Sequence, residues 1–383
     1  MTPAPRVLLA TNLVPDDRKT LASARALGRG GAWVAVASDR LLGEGCFSRH
    51  VRRRFPYTHP ARDLDGFHQD LTRIITGNAI DVVLPMNDYT TIALAKLQDQ
   101  IPAATALPSY ESVTLAHDKM RTRELARECG VDTPQTWIAA GQDELREIAA
   151  RAPYPCVSKP LRGSGAVGLT IHPTAESLLA VWSAAPRASN LGFDFDRLLV
   201  QEYIPGETHD ACVLCRHGET RAAYTARRRW MHPAGAGVGT SVETTFEPNL
   251  IDSACRLLKA LKWHGPADVE FRVDPGSGRA CLIEINGRLW GGLALAISAG
   301  INIPLLTLQL ALDGDCDPVF DYNHQARFRW PIPFALLALA SGRPLAAFRE
   351  FFLPAPHTYS DLEWTDPAPH LAEISYALRR LLF

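Results

Sequence analysis

The sequence predicts an α/β protein. A doubly wound parallel sheet comes first, followed by a larger part in which helices alternate with antiparallel strand pairs. Three observations predict this. Short apolar runs rich in β-branched residues, RVLLA (6–10), AWVAVAS (32–38) and AIDVVL (79–84), alternate with helical stretches, the pattern of βαβ units. Beyond residue 130 the strands come in pairs around glycine-containing turns. Finally, 383 residues exceed one typical core and suggest two or three domains.

In chain order, Arg18–Leu27 reads as a helix closed by Gly28, Gly30 and Gly31, and Leu64–Ile75 as a second helix. The strand ending at Pro85-Met86-Asn87-Asp88 brings Asn87 and Asp88 to the carboxyl edge, where such sheets bind ligands. Pro102 and Pro108 mark a break, and His117–Cys129 reads as one helix stopped by Gly130. VDTPQTWIA leads into a strand, Asp143–Arg151 is a short helix, and CVSKP and GLTIH are strands around a glycine loop. Thr174 caps a helix to about Ala184, LLVQEYI is a buried strand, and DACVLCRHGETRAAYTARRRW is a hairpin turning at His217-Gly218-Glu219. Asn249–Leu261 is helical, and ADVEFRVD and RACLIEIN are strands joined by Pro275-Gly276-Ser277-Gly278. Leu293–Ala299, Leu305–Leu312 and Leu371–Leu382 read as helices.

Apolar residues make up 46% of the chain and charged residues 21%, and the net charge is −1. That balance argues against a broad nucleic-acid or anionic-membrane footprint. No stretch approaches the roughly 20 apolar residues of a membrane helix, and the N-terminal run VLLA is too short for a secretory signal. Eight scattered cysteines fit a reducing cytosol, so the expected location is cytoplasmic. Cys212 and Cys215 lie three apart on a strand, so their sulfurs point to opposite faces and make a poor metal pair.

The stretch SKPLRGSGAVGL (158–169) has the spacing Gly163-x-Gly165-x-x-Gly168, with Ser164 inside it. A strand follows this loop where a dinucleotide fingerprint needs a helix, and no Lys-Ser/Thr follows the last glycine. A glycine hairpin folding over phosphates remains. Lys159 ends the strand before it, and Lys119 is a second cation early on its helix.

Glu284 and Asn286 are two apart and share a strand face, and the short turn places Glu270 on the neighbouring antiparallel strand. Two carboxylates and an amide amid apolar residues suit magnesium, which takes oxygen ligands. The competing explanation is a structural network with Arg272 and Arg288. Arg288 follows Asn286 by two and reaches the same place, where it can stabilise transferring phosphoryl charge. The backbone of VQEYI before Pro205-Gly206 can offer an adenine edge; Glu207, or else His209 or Asp210, can take ribose hydroxyls. Gly235-Ala-Gly237-Val-Gly239, which follows the basic run Arg227-Arg228-Arg229, is either a mobile cover on substrate or a solvated basic loop.

The ordered set HDK (117–119), SKPLRGSGAVGL, VQEYIPGE, ADVEFRVD and LIEINGR resembles the ATP-grasp superfamily, in its carboxylate–amine ligase, carboligase-like branch. The resemblance runs from about Leu107 to Asp313. It implies a Rossmann-like domain over 1–110, ATP-grasp subdomains over 111–200 (glycine loop) and 201–318 (metal site) sandwiching ATP, and a C-terminal extension over 319–383. It implies Lys119, Lys159, Gly163, Ser164, Gly165 and Gly168 on ATP phosphates, Glu202, Tyr203 and Ile204 at adenine, and Glu207 on ribose. Glu270, Glu284 and Asn286 would hold Mg²⁺, with Mn²⁺ as a substitute; Arg288 and Lys159 would act on the transferring phosphoryl group. The implied reaction turns a carboxylate into an acyl phosphate and joins it to an amine, releasing ADP and phosphate. Small-molecule carboxylate and amine substrates would meet Asn87, Asp88, Arg229 and Gly237. Arginines without partners in that segment suggest an anionic substrate, and a homodimer is the commonest assembly. A phosphotransferase or a non-catalytic nucleotide-binding module on the same scaffold is the alternative. The family often has proline where this chain has Gly287, which loosens the backbone beside Asn286.

Overall fold

The structure is a computed structural model that describes residues 3–12, 17–161, 168–184, 197–232, 237–332 and 344–374. It opens with β1 (Arg6–Ala10), α1 (Arg18–Arg29), β2 (Trp33–Ser38), β3 (Val51–Pro56), α2 (Leu64–Gly77), β4 (Val82–Pro85) and α3 (Asp88–Lys96). The four strands form a parallel sheet in the order β3-β2-β1-β4. β1, β2 and β4 are buried almost throughout, as expected of parallel strands covered on both faces. The α/β prediction holds, and the carboxyl end of β4 leads straight into α3. Asn87 caps that helix, its side chain accepting from the Thr90 amide at 3.1 Å.

The chain continues with α4 (Tyr110–His117), α5 (Lys119–Glu128), β5 (Thr136–Ala139), α6 (Gln142–Arg151), β6 (Cys156–Pro160), β7 (Thr170–His172), α7 (Ala175–Ala184) and β8 (Leu198–Glu202). The single helix expected over 117–129 is therefore two. Asp118 separates them: its Oδ1 accepts from the amides of Met120 and Arg121 and caps α5. β5, β8, β6 and β7 form an antiparallel sheet in that order.

The last part holds β9 (Glu207–Arg216), β10 (Glu219–His232), β11 (Val238–Thr245), α8 (Pro248–Ala260), β12 (Gly265–Val273), β13 (Ala280–Asn286), α9 (Leu293–Ser298), α10 (Ile303–Asp313), β14 (Arg327–Arg329), α11 (Pro344–Phe352) and β15 (Thr358–Ser360). Its seven-stranded sheet runs β13-β12-β9-β10-β11-β14-β15. Arg227, Arg228 and Arg229 lie inside β10, the second strand of the expected hairpin, which continues to His232, and not in a solvated basic loop. The basic run is a strand because β9 and β11 flank it and supply acids to each guanidinium.

One core joins the parallel sheet, α1, α9 and one face of the large sheet; a second packs α4 and α8 on that sheet's other face. β9 feeds both by alternation: Cys212 and Leu214 enter the first, Val213 and Cys215 the second. The two cysteines diverge as expected, and all eight cysteines are free. The expected C-terminal helix is seen over 368–374, and its remainder lies outside the described residues. No helix among the described residues is long and apolar enough to cross a membrane.

Candidate active site

The site is written across four strands. Glu270 on β12 pairs in register with Glu284 on β13 and, on its other side, with Asp210 on β9. Asp268, two residues before Glu270 on the same face, stands opposite Asn286. Acids thus form a row on one face of the large sheet. Arg228 on β10 closes the row: its guanidinium donates to Asp210 Oδ1 at 2.7 Å and Oδ2 at 3.2 Å, and also to Glu270 Oε2. Glu270 and Glu284 stand opposite each other, as the short turn predicted; Asp268 is an addition that sequence reasoning did not name, and Arg228, named there only within the basic run, joins the acids. The signal was present for Asp268, since D-x-E on a strand puts both acids on one face. Arg228 had none, because its usefulness depends on which strand lies beside β10.

Burial raises these carboxyls, and the neighbouring cations decide how far. Burial pushes Glu270 up to about 7, Arg228 opposing and Glu284 and Asp210 adding to the rise. Asp268 is raised well above its ordinary value by burial and by Asp210. Burial also works to raise Glu284, but Lys119 and Lys159 outweigh it and hold the group below its ordinary value. Burial and Lys119 bring Lys159 down to about 8, against the upward pull of Glu284 and Glu270. The two lysines, Glu270 and Glu284 are therefore one electrostatic unit. Lys119 also lines a small cavity with Glu284, Asn286 and Asp88.

Arg288 reaches the unit as expected: its Nη2 donates to Asn286 Oδ1 at 3.2 Å. Its Nε donates to Asp88 Oδ1 at 3.0 Å, tying the parallel-sheet domain to the site. The alternative network of Arg272 and Arg288 is replaced by one of Arg228 and Arg288.

A slot between the antiparallel four-stranded sheet and the large sheet runs from Lys159 and Glu270 past Glu202, Tyr203 and Ile204. Val157, Ile171, Met231 and Ile283 supply apolar walls, the makings of a place for an aromatic base. The Glu202 carboxylate is taken by the Gln135 amide (3.0 Å) and Arg279 (3.0 Å), so backbone rather than side chain is what it offers. Gly168, with a left-handed φ of 76°, precedes β7; Gly163, Ser164 and Gly165 lie outside the described residues.

Other expected contacts are not brought to this slot. Glu207 is exposed and ion-paired with Arg227 at 3.0 Å. Arg229 is not without partners: it bridges Glu243 (3.1 Å) and Glu350 (3.2 Å). The suggestion of an anionic substrate from arginines lacking partners therefore falls. Asn87 is engaged as a cap, and Gly237 is a bend before β11.

Comparison with known proteins bears on the fold that carries this geometry. The family model described as "ATP-grasp in the biosynthetic pathway with Ter operon" matches residues 194–331. The L-amino acid ligase of Bacillus licheniformis superposes with a TM-score of 0.61 at 18% identity, over 83% of this chain and 79% of that one. The ADP complex of purK, N5-carboxyaminoimidazole ribonucleotide synthetase, gives 0.65 at 14% identity over 85% and 81%. The chain shares the fold of these enzymes, and residues 194–331 match an ATP-grasp family model.

Its sequence also resembles the carbamoyl phosphate synthase large chain of Clostridium acetobutylicum, 23% identical over 241 residues. That stretch is 60% of this chain and 22% of the relative, so the chain spans under a quarter of that protein. Packing explains the glycine at Gly287, where the resemblance led to an expected proline. A Cβ there would lie 2.7 Å from Trp263 Cη2 and 2.8 Å from Cζ2. The glycine is a close approach to a fully buried ring, not a loosened segment.

Proposed function

We propose that this protein is an ATP-dependent ligase that joins a carboxylate to an amine and releases ADP and phosphate. One observation carries the reading: Glu270 and Glu284 face each other across adjacent strands, with Lys159 lining one cavity beside Glu270 and Lys119 another beside Glu284. Carboxylates and ammonium groups converging at the end of an apolar slot suit a nucleotide with its divalent cation.

The residues fit Mg²⁺ chemically. Glu270, Glu284 and Asn286 present oxygen donors, and Arg228 engages only Oε2 of Glu270, leaving its other oxygen. When bound, the cation supplies positive charge where phosphate negative charge must be neutralised. The chain's own groups do the rest. Lys159 and Lys119 donate to phosphate oxygens, and Arg288 stabilises charge on the transferred group. Asp88 is a positioning residue that holds the Arg288 fork in place. A substrate carboxylate oxygen attacks Pγ and the bond to the β-phosphate bridging oxygen breaks, leaving ADP. The amine then attacks the acyl carbon, loses a proton and expels phosphate. No enzyme nucleophile is needed, and the site must exclude water to protect the acyl phosphate.

Incubation with ATP, Mg²⁺ and a panel of carboxylates and amines should release ADP and phosphate and yield an amide by mass spectrometry. AMP with pyrophosphate, or a stable phosphoester product, would overturn the ligase reading. Glu284→Ala should abolish turnover while the circular dichroism spectrum is kept; retained turnover would remove Glu284 from the cation site.

A further inference from the structure

Far from the nucleotide slot, the C-terminal segment carries a second polar cluster. One ligand atom each from Asp361, His370 and Glu373 lies within 4.8 Å of the others. All three residues are more than nine-tenths buried, at 5%, 8% and 7% exposure. His370 and Glu373 are three apart in the helical stretch 368–374 and so share a face. Asp361 follows β15 directly and meets them from outside that helix.

The Asp361 carboxylate is the informative group. Both of its oxygens are buried and neither has a hydrogen-bond partner. The two neighbouring arginines, Arg25 and Arg18, do not supply one. Arg25 donates through Nε to Asp366 at 2.9 Å, through Nη1 to the main-chain carbonyl of Asp361 at 2.7 Å, and through Nη2 to the Asp366 carbonyl at 3.2 Å. Arg18 donates to the Gly239 carbonyl at 2.8 Å and stacks on Trp330. A buried carboxylate with two bare oxygens is costly unless a cation joins it. A lone acid beside an imidazole and a second acid is a ligand set.

We propose that Asp361, His370 and Glu373 form a binding site for a divalent transition-metal ion, separate from the cation that serves ATP. One imidazole nitrogen and two carboxylates suit Zn²⁺ better than Mg²⁺ or Ca²⁺, which prefer all-oxygen sets. Two carboxylates balance the charge of a divalent ion. Loading exchanges one present contact of the imidazole, Glu373 Oε2 at 3.1 Å from Nδ1 or Arg25 Nη2 at 3.5 Å from Nε2, for a metal bond. Three protein ligands leave a position for water. Asp361 also lines a cavity of about 240 Å³ between α1, α9 and the edge of the large sheet, which gives an ion room to enter. The ion would clamp the helical stretch 368–374 to the segment after β15, beside α1.

The test uses the full chain, freed of any polyhistidine tag and stripped with chelator. Titration with Zn²⁺ by calorimetry should show one ion per chain, and Co²⁺ should give d–d absorption. The Zn²⁺ affinity should survive Glu284→Ala. It should fall roughly a hundredfold or more in Asp361→Ala and in His370→Ala. Absence of a Zn²⁺ site tighter than about 10 μM in the folded wild-type chain would overturn the proposal. So would unchanged affinity in both ligand variants, or loss of the ion in Glu284→Ala. The wild-type titration decides even if a ligand variant fails to fold.

Discussion

At the scale of single residues, the active-site acids differ because their neighbours differ. Glu270 and Glu284 are two carboxylates in one register row, yet one is raised to about 7 and the other is held low. The row gives Glu270 acidic neighbours on both sides, whereas Glu284 faces two lysines. A cation must displace the Glu270 proton. The folded chain keeps that proton above the ordinary glutamate value of 4.5 and releases it through about 7. Its contribution to the stability of the ligand-free chain is therefore full below 4.5 and lost as pH rises through 7. Cation affinity runs the other way. The Mg²⁺ concentration for half-maximal ATP turnover should fall between pH 6 and 8, by up to about tenfold per unit below 7. A flat profile would exclude Glu270 as a ligand. Lys159→Ala should raise the KM for ATP and lower kcat while the unfolding free energy from urea titration changes by no more than about 1 kcal/mol, since a buried, depressed lysine contributes little to folding. A variant with unaltered ATP kinetics would place the phosphates elsewhere.

At the scale of elements, short strands and tight junctions carry the site. Asn286 and Arg288 flank Gly287, and the absence of a Cβ there lets the end of β13 lie on Trp263. Gly287→Ala forces its new methyl against that ring and Val113, an overpacking that costs about 1–3 kcal/mol. A lowered midpoint in urea unfolding, together with reduced ATP turnover, is the expected pair of results; an unchanged midpoint would mean the junction yields. Elements that escaped sequence reading have identifiable causes. β3 (VRRRFP) exposes its arginines on a sheet edge, so no apolar alternation announces it. α3 follows β4 after only Met86 and the cap Asn87 and reads as a strand end. α4 and α5 meet at Asp118 with no glycine or proline between them.

At the scale of the whole molecule, the C-terminal segment is bound into both halves of the protein. β14 and β15 extend the large sheet. Asp366 accepts from Arg25 Nε (2.9 Å), Ser48 Oγ (2.7 Å) and the Arg49 amide (2.8 Å) of the parallel-sheet domain. The Arg25 and Asp366 side chains are 6% and 1% exposed. Asp366→Ala removes the nearer carboxylate of a buried guanidinium, leaving Glu363 at 3.6 Å, and takes the acceptor from Ser48 Oγ and the Arg49 amide, so chemical denaturation should show a loss of about 3 kcal/mol. A loss below 1 kcal/mol would mean that the segment contributes little to holding the chain together.

What the sequence determined by itself is local and periodic. Alternation put Glu284 and Asn286 on one face, the Pro275–Gly278 turn set Glu270 against them, and Lys159 sat at the end of its strand before the glycine loop. Those features depend on neighbours in the chain, and strand geometry transmits them directly. The tertiary structure decided which strand lies beside which. It made Arg228 the partner of Asp210 and Glu270, turned Arg229 toward Glu243 and Glu350, and joined Arg288 to Asp88 across 200 residues. Strand order and domain docking are long-range choices, and side-chain partners follow from them, so no local pattern could announce those pairs.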